Sequence, residues 1–354
     1  MGDMTTDKPS SKENPAAPGG KRPRLKDIAF LSGLSVTTVS KALNDAADIG
    51  DKTKKRVREI AKQIGYRPNR AGLRLRTGKT NVISVILRAE DGAMGMSSPL
   101  VSGIADVIGS TNYHLVVTPY SQFQDPLDAV KYVVETGAAD GIIMSRMEPN
   151  DPRVAFLHDA GFPFVSHGRT DMGIEHAYYD FDNECYAKQS VQHLVRKGRK
   201  NIGLISAPDT LTFSKFLNSG FYSELEKHNL LEVPIRNMNI DSPFDEIMLE
   251  IGRIMRSIRP LDSIVCASAT SAIAAISAIE MVGFKIGKDV DIVAKDSFGL
   301  LNHFRPELFV IPEDFRVSGN HLIRMVLAII EGDDPKNHQI LESPILSKDM
   351  ILPH

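Results

Sequence analysis

From residue 81 onward the chain alternates short apolar runs with helical stretches, and no other feature constrains its fold as tightly. The runs are NVISVIL (81–87), HLVVTP (114–119), GIIMS (141–145), FPFVSHG (162–168), NIGLISA (201–207), DSIVCAS (262–268), DIVAKD (291–296) and LFVIPED (308–314). Most are continuous rather than alternating, the pattern of parallel strands covered on both faces. Between them lie stretches such as DPLDAVKYVVETG and AIAAISAIEMVGF, with Gly near their C-terminal ends. Strand followed by helix, repeated, predicts a doubly wound α/β architecture. That architecture is shared by enzymes and receptors and does not choose between them.

The first eighty residues follow a different rule. In RLKDIAFLSGLSVTTVSKALN (24–44), Leu25, Ile28 and Ala29 share one face at helical spacing. Gly33 breaks that helix, and Ser35 can cap the next by accepting a free backbone N–H. The second helix would bury Val39, Ala42 and Leu43, leaving Val36, Thr37 and Lys41 on another face near its start. A recognition helix presents side chains to base edges from that end, although a plain helical hairpin has a similar pattern. A third helix is signalled by Asp51 as N-cap, by Val57, Ile60, Ala61 and Ile64 at i, i+3, i+4 and i+7, and by Gly65 at its end. The segment 66–81 then carries Arg70, Arg74 and Arg76 around Leu73 and Leu75.

Charge favours the DNA reading of this module. Between 21 and 79 there are sixteen Lys/Arg against five Asp/Glu, in a chain whose formal net charge is −2. A basic module attached to an acidic remainder is the electrostatic footprint of a polyanion-binding domain. One charged helix could be merely solvated; a whole module of one sign calls for a partner.

Residues 24–78 resemble the DNA-binding headpiece and hinge of the lactose-repressor (LacI/GalR) family of bacterial transcription regulators. The match rests on Asp27-Ile28-Ala29, Gly33, Leu34-Ser35, Thr38-Val39-Ser40, Asn44, Thr53, Val57, Gly65-Tyr66, Pro68-Asn69 and Leu75. The resemblance implies that Val36, Thr37 and Lys41 read the major groove, and Thr38, Ser40, Asn44, Asn69, Arg70 and Arg76 join them as DNA-contacting candidates. Leu75 falls where the family's hinge helix drives an apolar wedge into the minor groove at the centre of a palindromic operator, kinking the duplex. An ordinary packing leucine is the alternative at that position. Gly72, where alanine is commoner, lowers the intrinsic stability of the hinge helix by about 1 kcal/mol.

The remainder, to the chain end, is similar to the same family's effector domain, so the expected fold is an α-helical helix-turn-helix headpiece with a hinge helix, plus a two-lobed α/β periplasmic-binding-protein-like domain. Expected boundaries are a disordered tail at 1–20, a headpiece at 21–66, a hinge at 67–80 and an effector domain at 81–354. Within the latter, the N-lobe takes about 81–181 and 309–333, and the C-lobe about 182–308 and 334–354. EPNDPRV, FPFVSHGRT, YYDFDNE, DIVAKDS and IPEDFRVSG resemble the α-glucoside (trehalose, maltose, sucrose) regulator branch.

Ligand-site candidates are strand-end and loop residues: Ser145, Arg146, His167, Arg169, Ser268 and Asp296, with Glu90, Ser97 and Lys215 from loops. Arginine forks and carboxylates suit vicinal sugar hydroxyls, while interlobe salt bridges or surface loops are the competing role. The resemblance places at Asp296 a carboxylate that accepts hydrogen bonds from ligand hydroxyls. Three positions depart from it. Leu217 stands where many relatives carry a ligand-clamping arginine, Ser268 where asparagine is common, and Ala269 replaces an aspartate.

These features predict a repressor of a carbohydrate operon, released from a palindromic operator by a mono- or disaccharide. A corepressor-dependent regulator of a non-sugar metabolite is the alternative. Against an enzyme stand the lack of a P-loop, a G-x-G-x-x-G after the first strand, a G-x-S-x-G elbow and an H-E-x-x-H. No cofactor or metal is expected, and two cysteines, Cys185 and Cys266, do not make a framework. A transported-solute receptor would need an export signal and no basic headpiece. No apolar window approaches a bilayer span, so a cytoplasmic homodimer without membrane attachment is expected, two half-sites matching a two-fold protein. The stripe Leu322, Met325, Val326, Ile329, Ile330 suits either core or dimer interface, with core favoured.

Overall fold

The computed structural model describes residues 23–66, 78–89, 97–297 and 299–344, and the chain divides into two compact units, 1–78 and 79–354. The first is a three-helix module: α1 (Leu25–Ser32), α2 (Val36–Leu43) and α3 (Asp51–Gln63). Gly33 ends α1 in the left-handed region at φ 68°, where glycine carries no Cβ penalty. Ser35 caps α2 by accepting the Thr38 N–H, as its position in the sequence suggested. The cap of α3 is different. Gly50 occupies the N-cap position, and Asp51 is the first helical residue, where its charge complements the helix dipole instead. Ile28, Ala29, Val39, Ala42, Val57 and Ala61 form a small buried core.

The second unit contains two parallel sheets. Strands β1 (Val82–Arg88), β2 (His114–Tyr120), β3 (Gly141–Met144), β4 (Phe164–His167) and β5 (Ala177–Phe181) alternate with helices α4 (Ser97–Ile108), α5 (Pro126–Glu135) and α6 (Pro152–Asp159). Then come α7 (Asn183–Arg196), β6 (Ile202–Ile205), α8 (Thr212–Lys227), α9 (Phe244–Met255), β7 (Ser263–Cys266), α10 (Ala269–Met281), β8 (Asp291–Asp296) and α11 (Leu301–Phe304). The chain continues through β9 (Phe309–Pro312), α12 (Phe315–Glu331) and β10 (Gln339–Glu342). One sheet runs β10-β5-β4-β3-β1-β2 and the other β6-β7-β8-β9, every pairing parallel. In the first, strand order reverses between β1 and β3, the switch point where open α/β sheets leave a crevice.

Two strand assignments differ from the sequence reading. β9 pairs with β8 and so belongs to the C-lobe sheet, which moves the final crossover past residue 312. β10 pairs with β5 in the N-lobe sheet, not in the C-lobe. A further strand, β5, was absent from the expected set. Its sequence AYYDF mixes aromatic and acidic residues, and only its place in the sheet buries Asp180. Of the stripe on α12, Leu322, Met325 and Val326 are buried in the core with α4 and the sheet, while Ile329 and Ile330 are half-buried at its edge. Helix contact is close there, since a Cβ on Gly103 would lie 2.0 Å from the Arg316 carbonyl oxygen. Both cysteines are free; Cys266 is buried, but Cys185 is only half-buried. Among the described residues, no helix is long and apolar enough to cross a membrane.

Candidate functional site

In the first unit, α2 presents its N-terminal half outward. Val36 is 45% exposed, Thr37 and Lys41 are also exposed, and Val39 and Ala42 on the opposite side are fully buried. Thr38 is half-buried, its hydroxyl 2.8 Å from that of Ser35. Ser40 is also half-buried, and its carbonyl accepts from the side-chain amide of Asn44, the residue that ends α2. Lys41 Nζ pairs with Asp48 at 2.5 Å, an exposed contact that a phosphate or base edge could replace. Asn69, Arg70, Leu75 and Arg76 lie outside the described residues.

In the second unit, the carboxyl ends of strands from both sheets converge on a cavity of about 910 Å³ of empty space, part of it open to solvent. Four of the expected residues line it: Arg146 after β3, His167 and Arg169 at the end of β4, and Ser268 after β7. Asp180 on β5, Asn183 in α7, Thr212 and Phe213 in α8, Lys295 on β8, Ser297 just after it, Glu313 after β9 and Phe315 in α12 add to the polar and aromatic lining.

The other expected residues are elsewhere. Asp296 does not line the cavity. Side chains on a strand alternate, and with Lys295 and Ser297 turned to the cavity, Asp296 accepts the Leu301 N–H at 2.9 Å at the start of α11. Lys215 is on a helix rather than a loop, half-exposed and paired with Asp171. Ser145 is buried beside the cavity, its carbonyl accepting from Arg153 Nη1 at 3.1 Å. Ser97 opens α4 and is not in the lining. Glu90 lies outside the described residues. Leu217 is fully buried against Phe221 and Leu225, so the arginine that many relatives place there has no counterpart on α8. Arginines reach this cavity from the N-lobe strands instead.

The cations around the cavity are engaged by carboxylates. Arg169 Nε lies 2.7 Å from Asp180 Oδ2, and its guanidinium stacks 4.1 Å above the centroid of the Phe216 ring. Lys295 Nζ lies 2.7 Å from Glu313 Oε2. Arg146 and Arg88 both bind Asp241, Arg88 Nη1 at 2.8 Å. Burial raises the Asp180 carboxyl to about 6 against the pull of Arg169. His167, tilted against Phe315 at 5.4 Å and stacked on Tyr179 at 6.3 Å, is held below the ordinary imidazole value by burial and is neutral near pH 7.

Several lining atoms have no partner. His167 Nε2, Asn183 Oδ1 and Thr212 Oγ1 are buried without a hydrogen bond among the described residues. Buried polar atoms in native proteins are nearly always satisfied, so each orphan signals a missing partner. Asp180, Lys295 and Glu313 escaped the sequence reading because charged residues inside strands and crossovers resemble solvated ones; Lys295 and Glu313 stand near the carboxyl ends of apolar runs, whereas Asp180 lies in none.

A helix-turn-helix module followed by a two-lobed α/β domain with a polar interlobe cavity defines a ligand-responsive DNA-binding regulator. Residues 24–69 match the model for bacterial regulatory proteins of the lacI family, and residues 191–348 match that for a periplasmic binding protein-like domain. The chain is 30% identical over 327 residues to the HTH-type transcriptional regulator AglR of Rhizobium meliloti (strain 1021), covering 88% of this chain and 90% of that protein. It is 30% identical over 326 residues to the HTH-type transcriptional regulator RafR of Escherichia coli, covering 91% and 96%. The chain belongs to the lacI family of bacterial regulatory proteins. Its fold is shared with the lac repressor dimer bound to operator and the anti-inducer ONPF, at TM-score 0.80, 20% identity and coverage of 92% and 97%. A regulator CelR–cellobiose complex matches at TM-score 0.66 and 20% identity, over 92% of this chain and 98% of that one.

Proposed function

We propose that this protein is a transcriptional repressor of a carbohydrate operon, acting as a cytoplasmic homodimer that leaves a palindromic operator when a neutral oligosaccharide occupies the interlobe cavity. The observation that carries the ligand class is the pairing of charge around orphaned polar atoms. Every cation lining the cavity has a carboxylate partner among the described residues: Arg169 with Asp180, Lys295 with Glu313, Arg146 with Asp241. Each of these three cations is thus engaged by a carboxylate, with Asp241 shared between Arg146 and Arg88, rather than held open for a phosphate. Hydroxyls, which donate and accept, would satisfy His167 Nε2, Asn183 Oδ1 and Thr212 Oγ1 alike. Phe213 and Phe315 supply apolar faces for a sugar ring. Cellobiose in the CelR complex and operator in the lac repressor dimer are consistent with this assignment.

The function is tested by operator-binding titrations with the purified protein. Sucrose, maltose, trehalose or cellobiose should weaken operator binding, whereas their phosphorylated counterparts should not. Release by a sugar phosphate alone would overturn the neutral-ligand reading, and tighter DNA binding with a sugar would make the ligand a corepressor. An effector needs to couple to DNA by only ~1–3 kcal/mol to make a useful switch.

Recognition itself is assigned to the exposed face of α2. Lys41→Ala should relax sequence preference at one symmetric pair of operator positions, since a good base contact discriminates by ~1–3 kcal/mol. Selection from a library of randomised operators would measure it. An equal loss on all sequences would make Lys41 a phosphate contact.

A further inference from the structure

Lys295 and Glu313 are the most deeply buried of the ion pairs described at the cavity. Their side chains are 5% and 9% exposed, and the ammonium is surrounded by the rings of Phe213, Phe181 and Tyr186, at 4.3, 4.6 and 5.6 Å from their centroids. For a pair this dry, desolvation rivals the mutual attraction, and an apolar pair of similar volume is often as stable or more so. Stability therefore does not account for it. Position does, because both side chains line the cavity from the carboxyl ends of the adjacent strands β8 and β9.

The chemistry of the pair is specific. An ammonium has three N–H donors and a carboxylate has lone pairs on both oxygens. One Lys295 donor goes to Glu313, and although the aromatic faces stabilise the charge, they leave its other N–H groups without an oxygen acceptor among the described residues. A fixed donor and a fixed acceptor at hydrogen-bond separation match two neighbouring hydroxyls on one ring. One hydroxyl accepts from Lys295 Nζ while the next donates to Glu313, and the ring's C–H face can lie on Phe213, the one of the three rings that lines the cavity. A lone hydroxyl or a flat heterocycle would leave half of the pair unused.

We propose that Lys295 and Glu313 are specificity-determining residues that read a vicinal diol of the effector. This rests on the neutral-sugar reading above. A site built to hydrogen-bond hydroxyls strongly rejects analogues that lack them, because its buried groups are then left unpaired.

The test uses the full chain and titration calorimetry with sucrose, maltose, trehalose and cellobiose. The wild type should bind at least one of them. The double variant Lys295→Met/Glu313→Leu should bind that sugar about a hundredfold more weakly, the scale of lost hydrogen bonds to charged groups. Its melting temperature should be unchanged or higher, and its operator affinity without sugar should be retained. A lower melting temperature with retained sugar affinity would make the pair structural and overturn the proposal, as would no change in either. Should the double variant fail to fold, monodeoxy analogues of the bound sugar, measured on the wild type, decide the matter. Two adjacent positions should each show the large loss, whereas losses at non-adjacent positions or spread evenly reject diol reading. Binding of none of the four sugars by the wild type would overturn both this proposal and the neutral-sugar reading. Failure of the variant tests alone overturns only the role of the pair.

Discussion

Ile28→Ala is expected to abolish operator binding while leaving sugar binding by residues 79–354 intact. Ile28 is fully buried on α1 and is the largest of the six buried side chains that make the headpiece core. Removing a buried isoleucine side chain to alanine costs about 2–5 kcal/mol, including the cavity left behind. A single core of this size rarely supplies more than about 3–5 kcal/mol. The loss therefore removes most of the stability of the three-helix module, and α2 can no longer be presented as a rigid reading element. The second unit has hydrophobic clusters of its own, none of which includes Ile28. Calorimetry should show the headpiece transition lost and the larger one unmoved, with operator binding absent in mobility-shift assays. Operator affinity within threefold of wild type would show that the headpiece draws its stability from elsewhere.

The second large effect is expected at Asp151→Ala. Asp151 and Arg153 form a salt bridge with side chains 1% and 2% exposed. Asp151 Oδ1 accepts from the Arg153 backbone N–H at 3.0 Å and from Nε at 2.9 Å, and Oδ2 accepts from Nη2 at 2.6 Å and from the Glu148 N–H at 3.1 Å. Arg153 in turn donates to the carbonyls of Ser145 at 3.1 Å and Arg146 at 2.9 Å. Arg146 sits at φ 57°, a left-handed conformation that a non-glycine residue adopts only under constraint. Removing Asp151 strands a guanidinium in the interior, a loss of about 3–5 kcal/mol. For a unit of this size that corresponds to a fall in melting temperature of roughly 6–20 °C. Sugar affinity should fall as well, because the loop that carries Arg146 into the cavity loses its support. A thermal melt followed by calorimetry checks both, and a melting temperature within 2 °C of wild type would refute the argument.

Much of this was legible in the chain. The cap at Ser35 and the break at Gly33 depend on a few neighbouring atoms, so local sequence sufficed. All eight apolar runs became strands with ends within two residues, because parallel strands covered on both faces have little choice of composition. Asp151 and Arg153 stand in the phrase EPNDPRV, yet nothing in two residues of opposite charge says that they are buried. Asp51 was read as a cap when Gly50 is one, a shift of one residue at a helix end, where boundaries are least determined.

The candidate site divides along the same line. Arg146, His167, Arg169 and Ser268 follow apolar runs, and carboxyl ends of parallel strands face the crevice in any fold of this kind, so sequence found them. Asp296 also ends such a run, but strand alternation gave its neighbour Lys295 to the cavity. A shift of one residue exchanges the two faces, and only the pairing of β8 with β7 and β9 fixes which face is which.

What the sequence determined by itself was therefore everything set by short-range physics: the helix-turn-helix, its basic charge, the strand and helix alternation, and the family. Tertiary structure alone decided which sheet receives β9 and β10, that Leu217 is core, and that Lys295, Glu313 and Asp180 share one cavity. Those outcomes join residues far apart in the chain, and whether a charged side chain meets water or a partner depends on elements its own neighbours do not encode.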